Sequence, residues 1–144
     1  MLVKLLPDQI SRFWPYIKYA LEQSVPLDIL NKPGKLNNIL ENLLFGGMQN
    51  WICVDAEELT VLGNLITTIF EDNCSRTKTI RFYSVYGYED LPLTEWQEGF
   101  HTIREFAKGQ GCEFIDAFTE STKIISLVKR FGGDARFTYV TLEI

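Results

Sequence analysis

Residues 77–111 constrain this chain more than any other stretch. Residues 78–86 (KTIRFYSVY) are dense in β-branched and aromatic side chains and predict a central strand. Residues 87–93 (GYEDLPL) read as a turn. Residues 94–108 (TEWQEGFHTIREFAK) place Trp96, Phe100, Ile103 and Ala107 on one helical face, and Gly109 and Gly111 stop the helix. Thr94 with Gln97 fits a capping box and sets the expected helix start. A strand that ends in a turn and feeds a helix collects unpaired backbone N–H groups, which attract anions. Here the turn holds one glycine and two acids, Glu89 and Asp90, and Pro92 contributes no N–H. Glu95 and Glu98 follow in the helix. Those acids suit the helix dipole. Each would oppose a phosphate charge by about 2–3 kcal/mol at roughly 6 Å and an effective dielectric near 20, before solvent screening.

The rest of the chain supplies the layers around that unit. A short apolar strand opens it (1–6), and Asp8 is placed to cap a helix. That helix is carried by Ile10, Phe13, Trp14, Ile17, Ala20 and Leu21, with a kink or restart expected at Pro15. Residues 24–33, with two prolines, read as a loop. Leu36, Ile39, Leu40, Leu43 and Leu44 mark a second amphipathic helix, ended by Gly46 and Gly47. Residues 51–55 and 60–71 predict an antiparallel hairpin. After the central unit come a strand (113–118), a helix (121–130, with Ile124, Ile125 and Val128 inward) and a final alternating strand (136–143). The order β, α, α, β, β, β, α, β, α, β predicts one α/β (α+β) domain spanning 1–144, a central mixed sheet with helices on its faces.

At 144 residues the chain can bury about 68–70% of its unfolded surface without a disulfide or metal staple. Net charge −5 disfavours nucleic-acid binding, which needs Lys and Arg against phosphates, and docking on anionic membranes. No apolar run reaches the roughly 18–20 residues of a membrane span, and residues 1–9 do not read as a signal peptide. Cys53, Cys74 and Cys112 form no metal or redox motif and read as reduced thiols, so a cytoplasmic setting is expected.

Little else in the sequence points to chemistry. His101 stands off the apolar face of its helix and reads as a surface residue. No transition-metal site and no catalytic residue is assigned. Asp116 and Glu120 are paired carboxylates of a kind that can do acid–base work, though such pairs are frequent by chance. Tyr83, Tyr86 and Tyr88, with Phe82, form an aromatic cluster that serves either core packing or a partner-binding patch.

In its element order the chain resembles the GNAT superfamily of N-acetyltransferases. The opening LLPDQISRFWPYI and the closing SLVKRFGGDARFTYVTLEI are similar to that family's entry and exit segments. The resemblance implies a GNAT-like domain with a mostly antiparallel mixed sheet. It implies that the strand offers backbone groups to the pantetheine arm of acetyl-CoA, at Phe82, Ser84, Val85, Tyr86, Gly87 and Tyr88. The family's Arg/Gln-x-x-Gly-x-Gly/Ala pattern is not matched in 85–93. Its tyrosine general acid corresponds to Val128, with Leu127 beside it, and its asparagine falls near Glu120. The chain in this respect resembles short GNAT-like proteins of tailed bacteriophages. The main expectation is therefore a degenerate acetyl-CoA site on a binding or virion-assembly protein, with a protein partner, no cofactor, and residence in host cytoplasm or virion. The alternative is an active acetyl-CoA-dependent N-acetyltransferase with an atypical turn.

Overall fold

A computed structural model describes residues 1–144, the side chains of Leu27 and Asp28 excepted. Five strands line up in chain order: β1 (Leu2–Lys4), β2 (Met48–Val54), β3 (Val61–Glu71), β4 (Lys78–Gly87) and β5 (Phe114–Ala117). The pairs β1–β2, β2–β3 and β3–β4 are antiparallel, and β4–β5 is parallel. A parallel pair needs a crossover, and α4 (Leu93–Gly109) supplies it.

The two hairpins use the same chemistry. Asp55 Oδ1 accepts from the amides of Glu57 and Glu58 at 2.8 and 3.0 Å, and Asp72 Oδ1 accepts from those of Cys74 and Ser75 at 2.7 and 3.3 Å. Those backbone bonds hold both carboxyls below their ordinary pKa. Each turn then places a non-glycine residue, Leu59 or Arg76, at positive φ.

Side-chain alternation divides the core. On one face, Ile52 and Ile66 pack with Ile10, Ile17 and Leu21 of α1 (Pro7–Ser24) and with Ile39 and Leu43 of α3 (Lys35–Leu44). On the other, Trp51, Leu65 and Ile80 pack with Ile103 and Ala107 of α4. Burying an aliphatic side chain of this size contributes about 1.5–3 kcal/mol. The last helix, α5 (Thr122–Arg130), lies beside α4, with Phe131 stacked on Phe100 at 5.0 Å.

Several expectations are corrected. α1 runs unbroken through Pro15, because that residue is exposed and Ser11 can turn its freed carbonyl to water, while buried residues on either side hold both halves. Asp8 sits in the first turn rather than capping, and Gln9 Oε1 accepts from the Leu6 amide at 2.8 Å. The loop expected at 24–33 contains a one-turn helix, α2 (Leu27–Leu30). The Thr94–Gln97 box does not form. α4 starts one residue earlier, with Pro92 at the cap and its carbonyl accepting from Glu95. The strand expected at 136–143 has no ladder partner, since pairing is a property of two segments and β5 has only β4 beside it.

Candidate functional site

The ladder between β4 and β5 runs from Thr79–Phe114 to Phe82–Ala117 and stops there, while β4 continues to Gly87. Beyond Phe82 the edge of β4 that faces away from β3 therefore has no strand beside it. A bulge marks the same place. Ile66 opposes Ser84 and Thr67 opposes Phe82, so Tyr83 is the extra residue. The bulge turns Tyr83 to the α1–α3 side, where it packs against the core and borders a cavity of about 340 Å³ with Thr68, Ile39, Met48, Lys35 and Asn38. Burial raises the Tyr83 phenol above its ordinary pKa, so it stays protonated at neutral pH.

The six expected contact residues separate into roles. Phe82 and Val85 lean on the α4-side core. Ser84 is buried with its hydroxyl 2.6 Å from Ser24 Oγ, and Ser24 in turn donates to the Ala20 carbonyl at 2.8 Å. Its side chain thus ties β4 to α1, leaving only its backbone for any ligand. Tyr86 and Tyr88 turn to α1 as well. Tyr86 meets the Tyr19 ring edge-on at 5.8 Å, Tyr88 stacks on Tyr19 at 6.5 Å, and the Tyr88 hydroxyl donates to the Tyr16 carbonyl at 2.7 Å. These contacts carry both tyrosines toward α1, away from β5. Tyr16 and Tyr19 were missed in the sequence, where two tyrosines three apart off the apolar face of a helix were the available signal.

Burial, followed by the charges of Tyr86 and Tyr16, pushes the Tyr88 phenol up to about 12. A raised folded-state pKa favours the neutral form. Its contribution to stability is present below the unfolded value near 10 and is lost as pH rises through the folded value. Alkaline titration at 295 nm should show a late tyrosine step near pH 12. Tyr88→Phe should remove that later step. A native protein without the step near 12 would contradict this packing.

Gly87 opens the turn because a Cβ there would lie 2.8 Å from the Glu89 carbonyl oxygen. Tyr88 donates its amide to Leu62. Among the described residues, no protein acceptor takes the amides of Glu89, Asp90, Leu91, Leu93 or Thr94. They form a run of donors at the helix N-terminus, where the dipole adds positive potential. The acids there are largely committed elsewhere. Asp90 pairs with Lys123 of α5 at 3.1 Å, and Glu95 binds the Met1 ammonium at 2.9 Å, which with that hydrogen bond lowers its pKa. Glu98 lies 4.0 Å from the same ammonium. The repulsion anticipated from the sequence is correspondingly reduced. Lys123 lies 33 residues from Asp90, so no local pattern could reveal it.

Other sequence candidates fall away from this place. Asp116 forms a bidentate pair with Arg81 at 2.8 and 2.9 Å, and the guanidinium is sandwiched between Phe70 and Phe118, so Asp116 is no free base for Glu120 to join. His101 is exposed. Burial pushes the Cys53 thiol up to about 11, which keeps it unreactive. No group of three metal-ligating side chains occurs among the described residues, and no helix is long and apolar enough to cross a membrane.

No protein-family model and no curated protein matches the sequence. Solved structures do. A probable acetyltransferase superposes with a TM-score of 0.75 over 100% of this chain and 97% of its own, at 14% identity. The chain has the GNAT fold. A ribosomal-protein-alanine N-acetyltransferase of Brucella melitensis biovar Abortus 2308 matches with a TM-score of 0.71 over 100% and 99% of the two chains, at 8% identity. A predicted acetyltransferase of Clostridium acetobutylicum, solved with acetyl-CoA, gives 0.68 over 99% and 95%, at 13% identity. At such identities the likeness establishes architecture, and the site must be argued from its own residues.

Proposed function

We propose that this GNAT-fold chain binds acetyl-CoA along the unpaired edge of β4 and transfers the acetyl group to an amine. The observation that carries this reading is the stretch beyond Phe82, where β4 leaves β5 and runs into a turn with five amides free of protein acceptors. The edge of β4 offers main-chain groups to the pantetheine arm, and the turn with the start of α4 offers N–H donors to the pyrophosphate. Lys123, by neutralising Asp90, lowers the repulsion a phosphate would meet at the turn.

In the transfer, the amine nitrogen bonds to the thioester carbonyl carbon and the carbon–sulfur bond breaks. One proton passes from the amine to solvent, and the thiolate takes one back from solvent. Half-buried Val128 and Leu127 cannot donate it. In this reading the cavity beside Tyr83 is the space offered to an acceptor.

Titration calorimetry with acetyl-CoA should give saturable binding with Kd about 10–100 µM, that is, about −5.5 to −7 kcal/mol. Lys123→Glu should weaken it about tenfold, since it replaces an attraction with a repulsion at the phosphates. No heat at millimolar ligand would overturn the reading. In that event the second reading stands: a protein-binding or virion-assembly role, as in bacteriophage GNAT-like chains, favoured by Val128 in the proton donor's place and by the acids and Pro92 in the turn.

A further inference from the structure

The cavity beside Tyr83 has a chemistry of its own. Lys35 and Asn38 stand three residues apart on α3, so they share a helical face, and both line the cavity. Gly34, at φ +81°, caps α3 and fixes where that face begins. Thr68 of β3 and Tyr83 of β4 add two hydroxyls, and Ile39 and Met48 add apolar surface. Tyr83 stays protonated, so its hydroxyl can donate. Lys35 is the one charged side chain lining the cavity among the described residues. Lys32 nearby in sequence is paired with Glu143, whereas Lys35 joins no ion pair among those residues. The cavity therefore presents a cation and several donors, with no carboxylate among the described residues to balance them. It meets the proposed cofactor edge at Tyr83, whose backbone continues β4 beyond Phe82 and whose side chain lines the cavity.

We infer that the amine acetylated by this chain also carries an acidic group, a carboxylate or a phosphate, which Lys35 and Asn38 bind while the amine meets the thioester beside Tyr83. This rests on the acetyl-transfer reading and names the acceptor class that it leaves open. Lys35 attracts an anion and repels a polycation, which would find no counter-charge among the described lining residues. Ile39 and Met48 suit the short carbon chain that separates amine from acid. A space of about 340 Å³ holds about ten waters at roughly 30 Å³ each, which suits a molecule of amino-acid size. In the step itself the free amine bonds to the thioester carbon and the carbon–sulfur bond breaks. The nitrogen loses one proton to solvent, and the departing coenzyme A thiolate takes one up. The products are an N-acetyl acid and the free thiol.

The test compares matched amines as acceptors for acetyl-CoA on the full chain, read by release of the free thiol. The pairs are O-phosphoethanolamine against ethanolamine and β-alanine against β-alaninamide, with spermidine as the polycation. The acidic member of at least one pair should have a kcat/KM about tenfold higher or more, and the pair that shows it distinguishes phosphate from carboxylate. Lys35→Met should raise KM for that acid about tenfold with little change in kcat, and Lys35→Arg should keep the preference. Without acetyl-CoA, the preferred acid should shift the amide resonances of Asn38, Thr68 and Tyr83 saturably, and its uncharged partner should not. That measurement uses the unmodified protein, so it decides the matter even if a variant fails to fold. Equal use of both members of each pair, preference for spermidine, a preference that survives Lys35→Met, or resonance shifts confined to other residues would each overturn the inference. Calorimetry with acetyl-CoA separates the two failures. Heat of binding without a preference for acids overturns this inference alone, whereas no heat overturns the acetyl-transfer reading and the inference with it.

Discussion

Gly87→Ala is expected to weaken acetyl-CoA binding at least tenfold and to cost about 1–3 kcal/mol of stability. The new Cβ would lie 2.8 Å from the Glu89 carbonyl oxygen, a main-chain atom that cannot swing aside as a side-chain tip can. Relief requires the turn to move, and the turn carries the amides of Glu89, Asp90 and Leu91 that the proposed site depends on. Donors aimed at a phosphate weaken as their N–H···O angles fall below about 150°, steeply below about 120°. Gly109→Ala is the control. It closes α4, and a Cβ there meets nothing within 4 Å, so the substitution should leave binding unchanged and stability unchanged or slightly higher. Chemical denaturation and calorimetry on the two variants make the comparison. Equal affinity in both would show that the turn does not contact the ligand.

What the sequence made legible follows from what is local. The composition of 78–86 announced a strand, and the spacing of Ile103 and Ala107 announced the buried face of α4. The bulge at Tyr83 was illegible because it depends on how β3 aligns with β4. The Asp90–Lys123 pair and the Ser24–Ser84 contact join residues 33 and 60 apart, and neither leaves a pattern in either segment alone. The acids around the turn were counted correctly, but their partners were invisible, so the sequence overstated the repulsion. For 136–143 the error ran the other way. Alternation showed that the segment could pair, which is not the same as having a strand to pair with.

The largest expected loss of stability lies under α1. Asn50 and Asn64 are 1% and 3% exposed, on the sheet face that also carries Ile52 and Ile66. Asn50 Nδ2 donates to Asn64 Oδ1 at 2.9 Å, and that bond is their side chains' one shared satisfaction: Asn50 Oδ1 and Asn64 Nδ2 have no partner among the described residues. Asn64→Val removes the acceptor and leaves the whole Asn50 amide buried and unpaired. The expected cost is about 2–4 kcal/mol, a large share of a typical 5–15 kcal/mol total. Asn50→Val should cost as much by the same reasoning. The double variant should not cost their sum. It removes both amides at once, puts β-branched apolar groups into central strands, and should fall within about 1 kcal/mol of the parent protein or above it. Urea unfolding of the four proteins closes the cycle, with an expected coupling of several kcal/mol. Additive losses would mean that the two amides do not depend on each other. If the double variant is indeed as stable as the parent, the pair does not serve stability, and the place of Asn64 on β3, the strand next to Ser84, makes the registry of α1 over β4 the property to measure next.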